Sequence, residues 1–326
     1  MVLKAVALAF GLVQLASPAL AQTESKSTDR TAPPRLVTIG VYVNQINGMS
    51  LKDEKVQLDF HIWFRWKGDD LKPLETFDLT NGDIDQKEDV YQTKIGDTNY
   101  AVCRCLATIQ KLWDVRNFPQ DNHDITIEIE DENSEDFKLR YMADLQNCNL
   151  SPEARVAGWD LSAGDAQVIK HRTNTNFGDI SLPSGHASDW SRFVYTVHMT
   201  RPGYGFFGKL FTGLFIAVGI STVGLLIPAH ELDSRFALSV GAMFAAVASE
   251  YVVTGSLPDS NVLTMADKLH IMSFLCIFIT LVEATATHKL AATGHEHTAW
   301  WVDRVALIVI VGGYIALVIG MVVFKL

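Results

Sequence analysis

Asp233-Ser234-Arg235-Phe236-Ala237-Leu238-Ser239-Val240-Gly241-Ala242-Met243-Phe244-Ala245-Ala246-Val247-Ala248-Ser249-Glu250-Tyr251-Val252-Val253 is the stretch that decides how the chain is read. At about 1.5 Å per residue it is long enough to cross roughly 30 Å of hydrocarbon. Yet it suits lipid poorly, because it carries Ser239, Ser249 and Glu250 and is rich in Ala and Gly. Steps of three and four place Asp233, Ala237, Gly241, Phe244, Ala248 and Tyr251 on one helical line. The line opens on a carboxylate, passes through small residues and narrows at an aromatic ring. A symmetric ring of such helices encloses a pore with a charged mouth and an apolar constriction. The alternative is a polar-flecked span packed inside an ordinary helix bundle.

Working outward, the pore helix covers residues 236–253, and three more apolar spans fall at residues 206–227, 264–286 and 300–324. Composition changes sharply at Arg201-Pro202-Gly203-Tyr204-Gly205, so residues 201–326 read as a four-span all-α unit. The connection from His288 to Ala299 holds Lys289, His295, Glu296 and His297 and reads as a solvated loop, with a metal site as the sharper alternative. Upstream, residues 35–200 alternate apolar and polar. Strands are expected near residues 36–43, 56–66, 100–112, 123–130, 137–141, 166–172 and 190–199, with Gly, Pro, Asn and Asp clusters between them. No long amphipathic helix interrupts, which predicts an all-β sandwich. Residues 1–21 carry Lys4, an apolar run and the ending Ala-Leu-Ala, the pattern of a secretory signal peptide; the alternative is a fifth membrane helix. Residues 22–34 are polar, end in Pro33-Pro34 and read as a flexible lead. Removal of the signal leaves the β domain outside the membrane. Four spans then return the C-terminus to that side, although the Lys and Arg distribution adds little to this orientation.

The charge is divided unevenly. Residues 22–200 hold 29 of the 37 acidic groups and 19 of the 27 basic ones, so the whole formal net charge of −10 sits on the soluble half. Such a domain repels nucleic acid and concentrates cations. The run Glu128, Glu130, Asp131, Glu132, Glu135 and Asp136 reads as a solvated loop, with calcium binding as the alternative. Four cysteines make no disulfide scaffold. Cys103 and Cys105 point the same way on a strand, Cys148 is placed to pair with either, and Cys276 lies in a span. No zinc spacing, no cofactor motif and no nucleophile–base pair in the spans stands out, so neither a cofactor nor an enzymatic activity is expected.

The order of these parts, with Trp113-Asp114-Val115-Arg116-Asn117-Phe118-Pro119-Gln120-Asp121, resembles the pentameric ligand-gated ion channels, the Cys-loop receptor family, in its prokaryotic form. The Phe-Pro-x-Asp element looks like that family's signature loop. Lys111 and Ile125 stand where animal members carry the loop cysteines, a departure shared by bacterial relatives. Val156-Ala157-Gly158-Trp159-Asp160, Trp66-Lys67, Arg201 before the first span and Leu257-Pro258 after the pore helix are similar to further family positions, and the likeness covers nearly the whole mature chain. Gly208 and Gly213 stand where the family's first span has prolines, and no pore-helix histidine of the proton-gated kind lies between His230 and His270.

The resemblance implies a homopentamer in a bacterial inner membrane, permeant cations, and an unidentified small-molecule or ionic agonist acting on the periplasmic domain. It implies a selectivity ring of Asp233 and a gate at Phe244, with Tyr251 as a second ring further along the helix. Asp233 as a simple helix-capping residue is the alternative. Arg235, about 160° around the helix from Ala237, is expected to face neighbouring helices. Coupling between domains falls to Phe118, Pro119 and Asp121 pressing on Leu257-Pro258, with Arg116 and Arg201 as cationic partners and Asp121–Arg201 as the favoured pair. Trp63, Trp66, Phe177 and Trp190 are the aromatic candidates for the ligand site, against the alternative that strand aromatics are core. A non-conducting, membrane-anchored periplasmic sensor or assembly module is the competing function. A lone anchor has no need of an acid at one end of a small-residue stripe.

Overall fold

The computed structural model describes residues 33–178, 185 and 187–324. The expected signal peptide and most of the flexible lead lie outside the described residues. The N-terminal half is a β-sheet domain, and four long apolar helices follow it.

The β domain is built from β1 (Arg35–Ser50), β2 (Lys55–Lys67), the single turn α1 (Pro73–Thr76), β3 (Phe77–Leu79), β4 (Gly82–Ile95), β5 (Thr98–Gln110), β6 (Asn122–Asp131), β7 (Leu139–Ala143), β8 (Asn149–Leu150), β9 (Asp160–Thr173) and β10 (Ser188–Thr200). One sheet runs β4-β5-β2-β1-β7 with β8 also on β1; the other runs β3-β6-β10-β9. Pairing is antiparallel except where β1 meets β7 and β8. Alternation explains the two-sheet form. Val37, Ile39, Val41, Phe60, Ile62 and Phe64 from one sheet and Ile125, Ile127, Phe193, Tyr195 and Val197 from the other are all fully buried in one core. Phe64 meets Phe77 across the sheets, ring centroids 5.4 Å apart. On the outer side, the ring of Trp63 lies against Gly40, where any Cβ would collide with it.

Two elements differ from expectation. β4 is a full strand where the sequence reading placed none; it is an edge strand, and both its faces are largely exposed. The acid run is not a solvated loop throughout. Glu128 and Glu130 grip Arg192, Asp136 grips Arg140, and Asp131 accepts from the Thr76 hydroxyl.

The helices are α2 (Gly205–Val223), which tightens into a 3-10 turn at Gly224–Leu226, α3 (Leu232–Thr254), α4 (Met265–Ala292) and α5 (Glu296–Phe324). All four are long and apolar enough to cross a membrane, the mark of a multi-pass membrane protein. α3 packs on α2 and α4, and α5 packs mainly on α4. Helix α2 runs unbroken through Gly208 and Gly213. Helix α4 begins with a capping box between Thr264 and Asp267 and continues to Ala292, where Gly294 at φ +88° ends the turn. The expected loop from His288 to Ala299 is therefore only residues 293–295. His288 belongs to α4 and His297 to α5.

Candidate functional site

The six residues of the predicted pore line all face away from the rest of the chain. Asp233, Ala237, Gly241, Phe244, Ala248 and Tyr251 are exposed, Phe244 by 73% and Tyr251 by 82%. The opposite face of α3, Arg235, Ser239, Ala242, Ala246 and Val253, is buried against the other helices. The small residues let α2 and α4 approach, and the hydroxyls find partners there. Ser221 donates to Ser239 at 3.3 Å and also bonds Thr280, while Ser249 meets His270 at 3.2 Å. Asp233 stands in the first turn, where a carboxylate complements the helix dipole, but the capping position itself is Glu231.

Arg235 faces the neighbouring helices, as expected from its angle. Its guanidinium is gripped by both oxygens of Asp303 on α5, at 2.9 and 2.6 Å. It also donates to Thr287 Oγ1 at 2.9 Å and to the carbonyl of Ile227. Asp303 escaped the sequence reading. Its one signal was an acid inside an apolar span, and its partner lies 68 residues away.

A second cluster joins the two halves of the chain. Arg201 Nε donates to Asp121 Oδ1 at 2.8 Å, and His123 Nε2 lies 2.6 Å from Asp121 Oδ2. The guanidinium of Arg201 sits over Trp159 at 4.0 Å and over Phe206, the start of α2, at 4.4 Å. Phe118 meets Phe206 edge to face at 6.1 Å, and Trp113 and Trp159 flank His123. The Phe118–Pro119 bond is cis and both residues are buried. Burial pushes the Asp121 carboxyl up, but the hydrogen bonds from His123 and Arg201 and the nearby positive charge outweigh it and hold it below its ordinary value.

Arg116 takes a different part from the one expected. Its side chain grips Asp114, two residues away, and holds that carboxyl down at about 2. Its backbone carbonyl, not its charge, bridges the domains by accepting from Met265 N at 2.9 Å. The loop thus touches the start of α4. Leu257 is buried in the same continuous apolar cluster as Phe118 and Met265, and Pro258 is half-buried beside it in sequence.

The four aromatic ligand-site candidates fall in three places. Phe177 and Trp190 come together, ring centroids 6.3 Å apart, on the rim of a cleft of about 850 Å³ between the β9–β10 connection and the end of β6. Asp78, Glu130, Asp131, Glu132 and Glu135 line the cleft together with Lys138, His171 and Arg192, and Arg192 already pairs with Glu130. Trp66 instead belongs to the core, and its indole N–H has no partner among the described residues. Trp63 is three residues along the same strand, hence on the outer face, where its N–H donates to Asp144 at 3.1 Å. Among the described residues no three His, Cys, Asp or Glu side chains are arranged to hold a metal ion. The four cysteines are unbridged; Cys103 and Cys105 lie with sulfurs 3.6 Å apart, and Cys148 accepts from Val41 N.

Comparison with protein-family models and with curated proteins gave no match.

Proposed function

We propose that the chain is one subunit of a homopentameric, cation-conducting channel of the pentameric ligand-gated type, seated in a bacterial inner membrane with its β domain on the periplasmic side. The observation that carries this reading is the outward face of α3. One protomer leaves Asp233, Ala237, Gly241, Phe244, Ala248 and Tyr251 uncovered, although a carboxylate and small residues are poor company for lipid. Five such faces around water would put carboxylates at one mouth and phenyl rings mid-span. In bulk water each carboxylate contributes on the order of 1 kcal/mol to a cation at about 4 Å and disfavours an anion equally. A ring of Phe244 side chains excludes ions by drying the constriction.

The signal reaches the gate through the buried Asp121–Arg201 joint and through the loop's bond to α4. An agonist shifts the gate only by binding open and closed arrangements unequally. The aromatic pair Phe177 and Trp190 on the cleft rim offers ring faces to a ligand cation, beside carboxylates of which Glu130 is already paired with Arg192. The experiment is mass determination of the solubilised chain followed by planar-bilayer recording of the same sample across pH, calcium and amines. A pentamer with cation currents is expected. A monomer, or a pentamer silent under every condition, would turn the reading toward a non-conducting sensor or assembly module.

A further inference from the structure

Cys103 and Cys105 stand two apart on β5, so both side chains leave the strand on its core face. Their sulfurs lie 3.6 Å apart, one thiol within hydrogen-bonding reach of the other, and both residues are fully buried. The two flanks of β5 differ. On one, β2 pairs in unbroken register from Lys55–Gln110 to Lys67–Thr98. On the other, the edge strand β4 slips register between Ile84 and Gln86 and again between Glu88 and Tyr91. The slips enclose the pairs Lys87–Cys105 and Glu88–Arg104, and Asp89 inside the second one has φ +49°. Lys87, opposite Cys105, leaves β4 on the side of the thiols, and its ammonium lies 4.0 Å from the centre of the Phe77 ring. One flank of the thiol pair is therefore a bulged, charged edge strand with both faces largely exposed, the kind of segment that opens locally before the rest.

We propose that Cys103 and Cys105 form a thiol–disulfide exchange site, reached through β4, that takes a small disulfide as its oxidant and closes into a bond within one strand. The Cys103 thiolate attacks one sulfur of the incoming disulfide and expels one thiol. Cys105 then attacks the Cys103 sulfur and expels the second. Two protein thiols are oxidised, one disulfide is reduced to two thiols, and the two cysteine protons pass to the leaving sulfurs. Cys103 is the better first nucleophile: the hydrogen bond from Cys105, helped by the Lys87 charge, holds its thiol below the ordinary value against the pull of burial. A rise of about 3.4 Å per residue puts the two Cα atoms about 6.8 Å apart, the upper end of what a disulfide spans. The bond therefore draws β5 short and is readily reduced again, as strained disulfides are. The other thiols stand apart. Cys148 is held to Val41 N on β1, beyond β2 in the sheet, and Cys276 lies in α4. This goes beyond the channel reading and does not depend on conduction.

The test is incubation of the folded, detergent-solubilised full chain with oxidised glutathione below its melting midpoint, then acid quench, alkylation of the remaining thiols in denaturant and mass spectrometry. The untreated chain should take up label on all four cysteines. The treated chain should keep only Cys148 and Cys276 reactive and weigh about 2 Da less before alkylation, the mass of the two hydrogens removed. Trypsin cuts after Lys94, Arg104 and Lys111, so residues 95–104 and 105–111 should travel as one species that a reductant separates. Amide hydrogen exchange should be faster in β4 than in β2, and the reverse order overturns the proposed route. Four reactive thiols after treatment, a lasting glutathione adduct on the wild type, or a bridge to Cys148 or Cys276 overturns the site itself. Cys105→Ser should stop at a glutathione adduct on Cys103, and an unmodified Cys103 in that variant counts equally against it. Should Cys105→Ser fail to fold, the wild-type thiol count and peptide link decide alone.

Discussion

Breaking the joint between the domains should be far more damaging than breaking an ordinary surface ion pair. Asp121 and Arg201 expose only 1% and 8% of their side chains. Removal of one member of a buried pair typically costs about 3–5 kcal/mol, because the survivor stays in a dry site. Arg201→Gln leaves Asp121 with His123 as its remaining donor, so the cost falls at the lower end, about 3 kcal/mol. Asp121→Asn leaves Arg201 stacked on Trp159 and Phe206, contacts that retain on the order of 1–2 kcal/mol. The double variant should therefore be less unstable than the sum of the singles, with a coupling of about 2–3 kcal/mol. The assay is equilibrium or thermal unfolding of the full chain in one detergent, the three variants beside the wild type. For a β domain of this size each kcal/mol moves the midpoint by about 2–4 °C, so the single variants should melt several degrees lower. A coupling below about 0.5 kcal/mol, the value of an exposed pair, would refute the argument that this contact carries force between the halves.

Three further outcomes are expected. Asp233→Ala should reduce the preference for cations, read as a shift of the reversal potential toward zero under a salt gradient; an unmoved potential removes Asp233 from the filter. Phe244→Ala should widen the constriction and raise the current at rest, and an unchanged resting leak assigns the gate elsewhere on α3. The third concerns acid. The folded-state Asp121 carboxyl is held below its ordinary value of 3.8, so its contribution to stability is complete above that value and is lost as pH falls through the lower folded-state value. The acid limb of the melting profile should be shallower in Asp121→Asn than in the wild type.

The parts of the chain that were legible in its sequence are those where one period governs one face. The line on α3 was readable because helical spacing alone separates Phe244 from Arg235, and the inner strands because alternation fixes which side meets the core. β4 was not readable for the same reason. With both faces in water, Gly82–Ile95 has no apolar rhythm to betray it, and its charges are those of an edge strand kept from pairing with strangers. The end of α4 was missed because Gly294 was taken as part of a loop and not as the stop of a helix. Arg116 was assigned across the domains although an acid two residues away, Asp114, competes at far smaller entropic cost. Trp63 and Trp66 were grouped as ligand aromatics, yet their odd spacing already put them on opposite faces. Asp303 lay beyond any local pattern, since what makes it notable is its meeting with Arg235 of another helix.

The chain supplies its own comparison for what a lipid-facing surface looks like. On α5 the exposed residues include Val305, Ile308, Val309, Ile315, Leu317 and Ile319, all aliphatic and bulky, the chemistry that hydrocarbon accepts. On α3 the residues turned away from the protomer begin with Asp233, pass through Ala237, Gly241 and Ala248, and include only two large rings on the line itself. Were both faces turned to lipid, nothing would keep a carboxylate on one while the other carries no charge from Val305 to Ile319, a stretch that also exposes Gly312 and Gly313. The inner face of α3 deepens the contrast. Its buried arginine, serines and alanines fix the rotation of the helix, so the outward line cannot be hidden by a turn about the axis without breaking the grip of Arg235 on Asp303. A face that is held outward, opens on a carboxylate and carries its rings at mid-span and toward the far end supports the proposed packing of α3 copies around water.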